Sequence, residues 1–489
     1  MFCNYIIEIC GIGIYNRIIV SDYKRIIKDS CLSRIGEDFG YKIVCYEDIE
    51  EFRYLYEGEI KKTQDKYLVL IKEDLYLPYD IRCEFNLIKI DYKKLFPRLN
   101  AHVLENSYIM DLDLLYIAHE NLYNTMDSES ETKKFLQKDM FKKENIREYR
   151  ESLMGEIDGL LKKDDYKSWT DIALIYSKLE YIRYRCSFEE TTGDLAYMLQ
   201  TKFKEFIFRD YSSLSGYSAF NGPVLLNKSL DYIFMNSGKP ALIVMDGMSI
   251  VDWLIICEFL EGITYEYNST YAIIPTITSI SRQSLLSGKL PIELEKPFSL
   301  AHERKLFIQG AMENGYKEGE IKYNRGYDFD IDCFDKCICV IINDIDDLIH
   351  SQKQGNPGMY NDVKLLASGG KINELIRKLH SHGFDIYITS DHGHVETKTI
   401  GNPRNMGVET ETKSKRTLIL KDFADYEEIM DEFSMIEYPG YFLPKDFKYL
   451  LCEHDKSFGI KGDVVLSHGG IAIEEVIVPF IKIEGVDYE

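Results

Sequence analysis

The chain is short of positive charge. Its 59 Lys and Arg face 81 Asp and Glu, a formal net charge of −22 at pH 7. The surface as a whole therefore repels nucleic-acid backbones, and any nucleic-acid contact has to be local or made through a basic partner. The eleven Cys show no zinc-knuckle spacing. Cys333, Cys337 and Cys339 lie in or beside a predicted strand and read as reduced core or surface thiols. With no secretory signal in view, this cysteine usage predicts a reducing cytoplasm. No apolar run reaches membrane-spanning length. The stretch Tyr5–Val20 is broken by Glu8, Asn16 and Arg17 and is expected to be a pair of strands rather than a signal or membrane segment. Gly11-Ile12-Gly13 lacks the third glycine of a dinucleotide fingerprint. Internal repeats and low-complexity tracts are absent.

What is present is a globular chain, 489 residues with 45% hydrophobic content, long enough for two or three domains. Residues 1–105 alternate apolar strands (Lys42–Tyr46, Tyr67–Ile71, Asn86–Ile90) with short amphipathic helices, the pattern of a small α/β domain. Residues 106–235 are helical in pattern, with charge-rich turns at Asp127–Thr132 and Lys162–Asp165. No catalytic constellation occurs there, and the region is expected to bind partners or shape the substrate site. Asn236-Ser237-Gly238-Lys239-Pro240 is a turn signal that opens a third block, 236–489.

Chemistry-bearing residues gather in that third block. Ala241–Val244 reads as a buried strand ending in Met245-Asp246-Gly247-Met248. Ile338–Ile342 is a second apolar run, followed by Asp344, Asp346 and His350. Asp385–Ser390 is a third, ending in Asp391-His392-Gly393, and Val464–Ser467 leads into His468-Gly469-Gly470. Ligands in open α/β sheets collect outside the carboxyl ends of the strands, so the four tips are expected to converge. Taken singly, each motif has an ordinary explanation: Asp-Gly is a common turn, and Asp346 and His350 share a helix face by simple spacing. Taken together, three Asp and three His (Asp246, Asp346, Asp391, His350, His392 and His468) suit two divalent cations, zinc most naturally. Asp344 and Asp347 flank Asp346, and only the four-residue spacing to His350 selects among the three. His394 and Glu396 are candidate partners of the ligating imidazole. Lys461, ahead of His468, reads as a solvated loop lysine.

A hydroxyl-rich stretch holds the candidate nucleophile. In Ile273-Ile274-Pro275-Thr276-Ile277-Thr278-Ser279-Ile280-Ser281-Arg282 an apolar strand is expected to end at Pro275, and a short helix to run from Ser281 to Leu286. A hydroxyl just ahead of a helix N-terminus faces free N–H groups and the positive end of the dipole, which favours a bound phosphate. The same pattern also describes a plain N-cap. Five hydroxyl residues lie between Thr276 and Ser284, and local physics does not choose among them.

The ordered set of Asp-Gly, a Thr followed by a helix ending in Leu-Leu-Ser-Gly, Asp-x-x-x-His, Ser-Asp-His-Gly and a late His-Gly-Gly resembles the alkaline phosphatase superfamily. Met245-Asp246-Gly247-Met248-Ser249, Thr278-Ser279-Ile280-Ser281-Arg282 and the run from Ser467 to Pro479 look like the PglZ domain, the phosphatase-like component of bacterial BREX phage-defence systems, also found fused to response-regulator receivers. The resemblance covers roughly Lys239 to Ile483 and implies an α/β, alkaline-phosphatase-like domain with a mixed or parallel sheet flanked by helices. It implies one cation held by Asp246, Asp391, His392 and the nucleophile Thr278, and another held by Asp346, His350 and His468. Ser281 then stands where related phosphodiesterases often carry an Asn that donates to the phosphate, and Arg282 could supply that contact instead through its guanidinium.

The activity so implied is metal-dependent phosphoryl hydrolysis. Thr278 attacks phosphorus in line with the leaving oxygen, and water then releases the phosphothreonine. The lack of a Cys at position 278 disfavours a sulfatase of the formylglycine kind. On the resemblance, the expected substrate is a phosphodiester such as a nucleotide or oligonucleotide. The alternatives are a phosphatase or phosphomutase of the same superfamily, and a non-catalytic, metal-stabilised scaffold in a defence complex. Expected partners are other defence-system proteins docking on residues 106–235, with weak direct binding to duplex DNA and none to membranes.

Overall fold

The structure, a computed structural model, describes residues 1–187, 193–218, 222–403, 414–421 and 426–487. The chain divides into two compact units, Met1–Met154 and Gly155–Glu489. The division falls inside the stretch 106–235.

In the first unit the stretch Tyr5–Val20 is not a pair of strands. Phe2–Ile9 is a helix whose buried face is Phe2 and Ile6, four residues apart, so the apolar spacing follows the helical period rather than the alternation of a strand. A turn through Gly11 and Gly13 leads into β1 (Arg17–Ser21). With β2 (Tyr41–Tyr46), β3 (Lys66–Ile71) and β4 (Asn86–Lys89) it forms a parallel sheet in the order β2-β3-β1-β4. Ile19, Val69 and Ile71 anchor the core on one of its faces. Cys3 and Cys31, with Cα atoms 5.5 Å apart, form a disulfide. That pairing was not expected from the sequence, whereas Cys333, Cys337 and Cys339 are free thiols as read. From β4 to the next strand every regular element among the described residues is helical.

The second unit is built on β5 (Pro240–Met245), β6 (Ile263–Tyr271), β7 (Ile321–Arg325), β8 (Cys337–Ile342), β9 (Asp385–Thr389) and a late strand that completes the sheet. Two smaller three-stranded sheets intervene in the chain. They comprise β10 (Val395–Thr399), β14 (Lys456–Ser457) and β15 (Val464–Ser467), and β11 (Thr417–Leu420), β12 (Ile436–Tyr438) and β13 (Lys448–Leu451). The late strand is β16 (Ile477–Val486), and the main sheet runs β6-β16-β9-β5-β8-β7. β7, β8, β5 and β9 are parallel to one another, and β16 lies antiparallel between β9 and β6. All six residues of β5 and all six of β8 are buried. Unbroken apolar runs are what strands covered on both faces require. Each fully buried Leu, Ile or Val there contributes roughly 1.5–3 kcal/mol of transfer free energy. Among the described residues, no helix is long and apolar enough to cross a membrane.

Candidate active site

Three adjacent strands of the main sheet, β8, β5 and β9, deliver most of the site from their carboxyl ends. Asp246 follows β5 directly, and its backbone N–H donates to Ile342 O at the end of β8 (2.9 Å). Gly247 comes next with φ 78°, a left-handed conformation that glycine adopts at no steric cost. Its N–H donates to Asp391 Oδ1 at 3.3 Å, joining the tips of β5 and β9. After β8, Asn343 leads into the helix Asp344–Ser351, which places Asp346 and His350 on one face, with His350 Nε2 3.4 Å from Asp346 Oδ1. His468 comes from β15, outside the main sheet. The four tips come together as expected, three of them from one sheet and the fourth brought in by a separate one.

The side chains form two clusters. Asp246, Asp391 and His392 are all buried, with ligand atoms within 4.8 Å of one another; Asp346, His350 and His468 form the other, more open group. His392 Nε2 lies 3.6 Å from Asp246 Oδ1 and 3.8 Å from Asp391 Oδ2, and His468 Nε2 lies 3.7 Å from Asp346 Oδ1. The two groups abut, because the His392 and His468 rings stack at 4.0 Å with 9° between planes. Of the three neighbouring aspartates only Asp346 enters a cluster. Asp344 accepts from Tyr327 OH at 3.0 Å, and Asp347 is exposed.

Three carboxylate oxygens in these groups (Asp246 Oδ1, Asp346 Oδ1 and Asp391 Oδ2) are buried with no hydrogen-bond partner among the described residues. Each faces an imidazole Nε2. A buried carboxylate oxygen left without a donor costs roughly 1–3 kcal/mol or more, and hard oxygen with imidazole nitrogen is a donor set for a divalent cation. The residues present fit such an ion. The electrostatics agree. Burial, then the charge of Asp246, push the Asp391 carboxyl up to about 7 against the opposing His392 and Arg282. Burial and Asp246 likewise raise Asp346. Burial pulls His392 down, but Asp391 and Asp246 outweigh it and its pKa is raised. His468 is held well below the ordinary range by burial and by the neighbouring His392. Negative charge is in excess around the first group, and a bound cation relieves it.

Thr278 opens the helix Thr278–Ser287 and is partly exposed. Helix formation thus starts three residues earlier than the spacing predicted, and β6 ends at Tyr271, leaving 272–277 as a buried connector. Ile277 supplies no side-chain cap, so the helix start offers backbone donors of the kind that bind anions. Thr278 Oγ1 sits 2.9 Å from His392 Nε2. His392 Nδ1 is 3.0 Å from Gly393 O, which assigns the proton to Nδ1 and leaves the Nε2 lone pair facing Thr278 and the carboxylates. His468 is oriented in the same way by Thr276 O, 3.0 Å from its Nδ1.

Other expected residues fall elsewhere. Ser281 is buried: it accepts from Ile273 N–H (3.1 Å) and donates to Asp391 O (2.6 Å), so its hydroxyl is committed to the backbone. Arg282, expected at the phosphate, is only 2% exposed. It pairs with Asp246, and its Nε donates to Glu303 Oε2 at 3.0 Å. With Asp391 Oδ2 also 3.7 Å from its Nη1, the guanidinium is committed to three buried carboxylates. Glu303 gave no signal in the sequence, since a helical Glu ordinarily reads as a solvated charge. His394 Nδ1 meets Gly247 O at 3.0 Å, so it supports the β5 tip rather than His392. Glu396 accepts from Asn356 N–H (2.7 Å), and Lys461 is exposed.

A family model described as the BREX system PglZ alkaline phosphatase-like domain matches residues 226–483. No curated protein matches the chain. Among solved structures, murine ectonucleotide pyrophosphatase/phosphodiesterase 5 is similar over 50% of this chain and 87% of its own, at 13% identity and a TM-score of 0.35. The human form of that protein is similar over 50% and 88%, at 13% identity and a TM-score of 0.36. The phosphonoacetate hydrolase of Sinorhizobium meliloti 1021 in complex with phosphonoformate is similar over 50% and 90%, at 13% identity and a TM-score of 0.35.

Proposed function

The chain belongs to the family described as the BREX system PglZ alkaline phosphatase-like domain, and from that premise we propose that it is a metal-dependent phosphoryl hydrolase with Thr278 as nucleophile. The observation that carries this reading is the set of three orphaned carboxylate oxygens facing imidazole nitrogens beside an accessible threonine hydroxyl at a helix start. Asp246, Asp391 and His392, with Thr278, would hold one divalent cation, and Asp346, His350 and His468 the other; zinc suits the mixed nitrogen and oxygen donors, with manganese as the alternative. When bound, the two cations supply Lewis-acid charge at the attacking and leaving oxygens of an in-line displacement.

The chain's own groups do the rest. His392, its Nδ1–H committed to Gly393 O, turns Nε2 toward Thr278 Oγ1, where it would ligate the cation that acidifies the hydroxyl. Thr278 Oγ gives up its proton and bonds to phosphorus as the P–O bond to the leaving group breaks and that oxygen takes up a proton. Water then attacks the phosphorus, and its proton returns to Oγ as the Oγ–P bond breaks and the phosphoryl product leaves. Backbone donors at the helix start favour the phosphoryl oxygens. Arg282 pairs with Asp246 and is held in turn by Glu303, which makes Arg282 a positioning residue. The substrate class that fits a phage-defence family is a nucleotide or oligonucleotide phosphodiester. Other defence proteins are the expected partners, through the helical region 106–235, because the net charge of −22 disfavours direct capture of duplex DNA. Elemental analysis followed by a screen of phosphodiesters, cyclic dinucleotides and phosphomonoesters tests the reading. It predicts close to two zinc or manganese per chain and turnover of a phosphodiester; no divalent metal on purification and none on titration would sink it.

A further inference from the structure

A second buried network lies behind the site, and the chemistry described so far does not use it. Glu475 is fully buried, and its carboxylate collects donors from three separate pieces of chain. Oε1 accepts from Gly470 N–H at 3.0 Å, and Oε2 from Ala472 N–H at 3.0 Å and from Arg416 Nη1 at 2.9 Å. Arg416 is also fully buried and donates onward to Glu453 O (3.1 Å) and His454 O (2.9 Å). Thr276 joins the same knot. Its hydroxyl accepts from Gly469 N–H at 3.0 Å, and its proton faces Gly470 O at 3.1 Å and Glu475 Oε1 at 3.4 Å.

The residues tied together are those that flank the site. Thr276 is two residues before Thr278, and its carbonyl accepts from His468 Nδ1. Gly469 and Gly470 follow His468 directly. A Cβ at Gly470 would lie 2.9 Å from the guanidinium carbon of Arg416, so that glycine is the space Arg416 needs to reach Glu475. As a cap for the single-turn helix Ile473–Val476, Glu475 needs only the Ala472 N–H bond. Burying an arginine with it costs several kcal/mol of desolvation per ion, more than such a cap warrants. The arrangement makes sense if the pair fixes one segment against another.

We propose that Glu475, with Arg416 as its buried counter-charge and Thr276 as its intermediary, is a positioning residue that holds the His468 imidazole in one tautomer and in register with Thr278. The proposal rests on the two-cation reading for its consequence in metal binding, but not for the orientation of His468.

The test uses the full-length protein with histidine ring nitrogens labelled, and compares wild type, Thr276→Val, Thr276→Ser and Glu475→Gln. In metal-free wild type, imidazole NMR is expected to give one His468 signal set with the proton on Nδ1, assigned by its loss in His468→Asn. Thr276→Val keeps the shape but removes the hydroxyl. It should broaden or split that set, and Thr276→Ser should restore it. In zinc titration followed by calorimetry, Thr276→Val should weaken one of two equivalents by about 10–100-fold, as loss of a ligand's supporting partner typically does, with the other unchanged. Glu475→Gln, which sets an amide N–H₂ against the donors at one of the two oxygen positions, should behave like Thr276→Val or unfold; the isosteric Thr276 variant decides the matter either way. An unchanged His468 signal set in Thr276→Val overturns the proposal whatever the metals do. A wild type that binds no zinc sinks the two-cation reading instead, while the His468 signals still decide the positioning role.

Discussion

Removing and restoring the cations should change stability in a way that depends on pH, and Asp391 sets the direction. Its carboxyl is raised to about 7, first by burial and then by Asp246. A carboxyl raised in the folded state favours the protonated, folded form, so this contribution is fully present below the ordinary carboxylate pKa and is lost as pH rises through about 7. Asp391 should therefore lower the stability of the metal-free protein as pH rises from 5 to 8, with the raised His392 acting in the same sense and the depressed His468 in the opposite one. A cation on Asp391 takes the place of the proton, so binding at pH 6 has to release that proton, and affinity at this site should fall about tenfold per pH unit below about 7. Free zinc at 100 times Kd adds about 2.7 kcal/mol for one site and about 5 kcal/mol for two independent ones. On a domain of this size that is on the order of 10 °C in melting temperature. Calorimetric melting of metal-free and zinc-loaded protein at pH 6 and pH 8 reads both effects. The gap between the two melting temperatures should widen at pH 8. A gap that is absent, or equal at both pH values, refutes the placement of a cation on Asp391.

Asp391→Ala and His468→Ala should each lower metal content and turnover together, read by elemental analysis and by rate on the best substrate. Gly393→Ala should destabilise the protein by at least about 1–3 kcal/mol, because a Cβ there would lie 1.9 Å from the Glu474 carbonyl oxygen; denaturant melts check it, and a change within about 0.5 kcal/mol would mean that this packing is wrong. Fluorescence anisotropy at physiological salt should show weak binding of long duplex DNA by the isolated chain, and submicromolar affinity would overturn the argument from net charge.

The parts of this site that were legible in the sequence are those where one segment carries the whole signal. β5 and β8 read as unbroken apolar runs because both faces of their sheet are covered, and Asp246 and Asp391-His392 follow such runs directly. Asp346 and His350 stand four apart, and one helix turn suffices to bring them together. Partnerships made across the fold were not legible. Nothing in the local pattern around Val464–Ser467 says that His468 arrives from a different sheet. Nor does Arg282 announce that Asp246 and Glu303 draw it inward: a charged residue on a helix reads as solvated until its buried partners are known. Phe2–Ile9 does not declare itself a helix in the sequence because a short apolar run does not separate helix from strand by periodicity alone. The start of the helix at Thr278 is not legible for a related reason: the residues of its first turn, Thr278, Ser279, Ile280 and Ser281, have little helical preference of their own.

The most direct measurement of the central claim is the turnover number of Thr278→Ala beside wild type, on the best phosphodiester from the screen and with metal content measured on the same samples. With Thr278 as nucleophile, the variant should keep its fold and close to two cations while losing turnover by about a thousandfold or more. Near-wild-type turnover in a variant that retains both cations would contradict it.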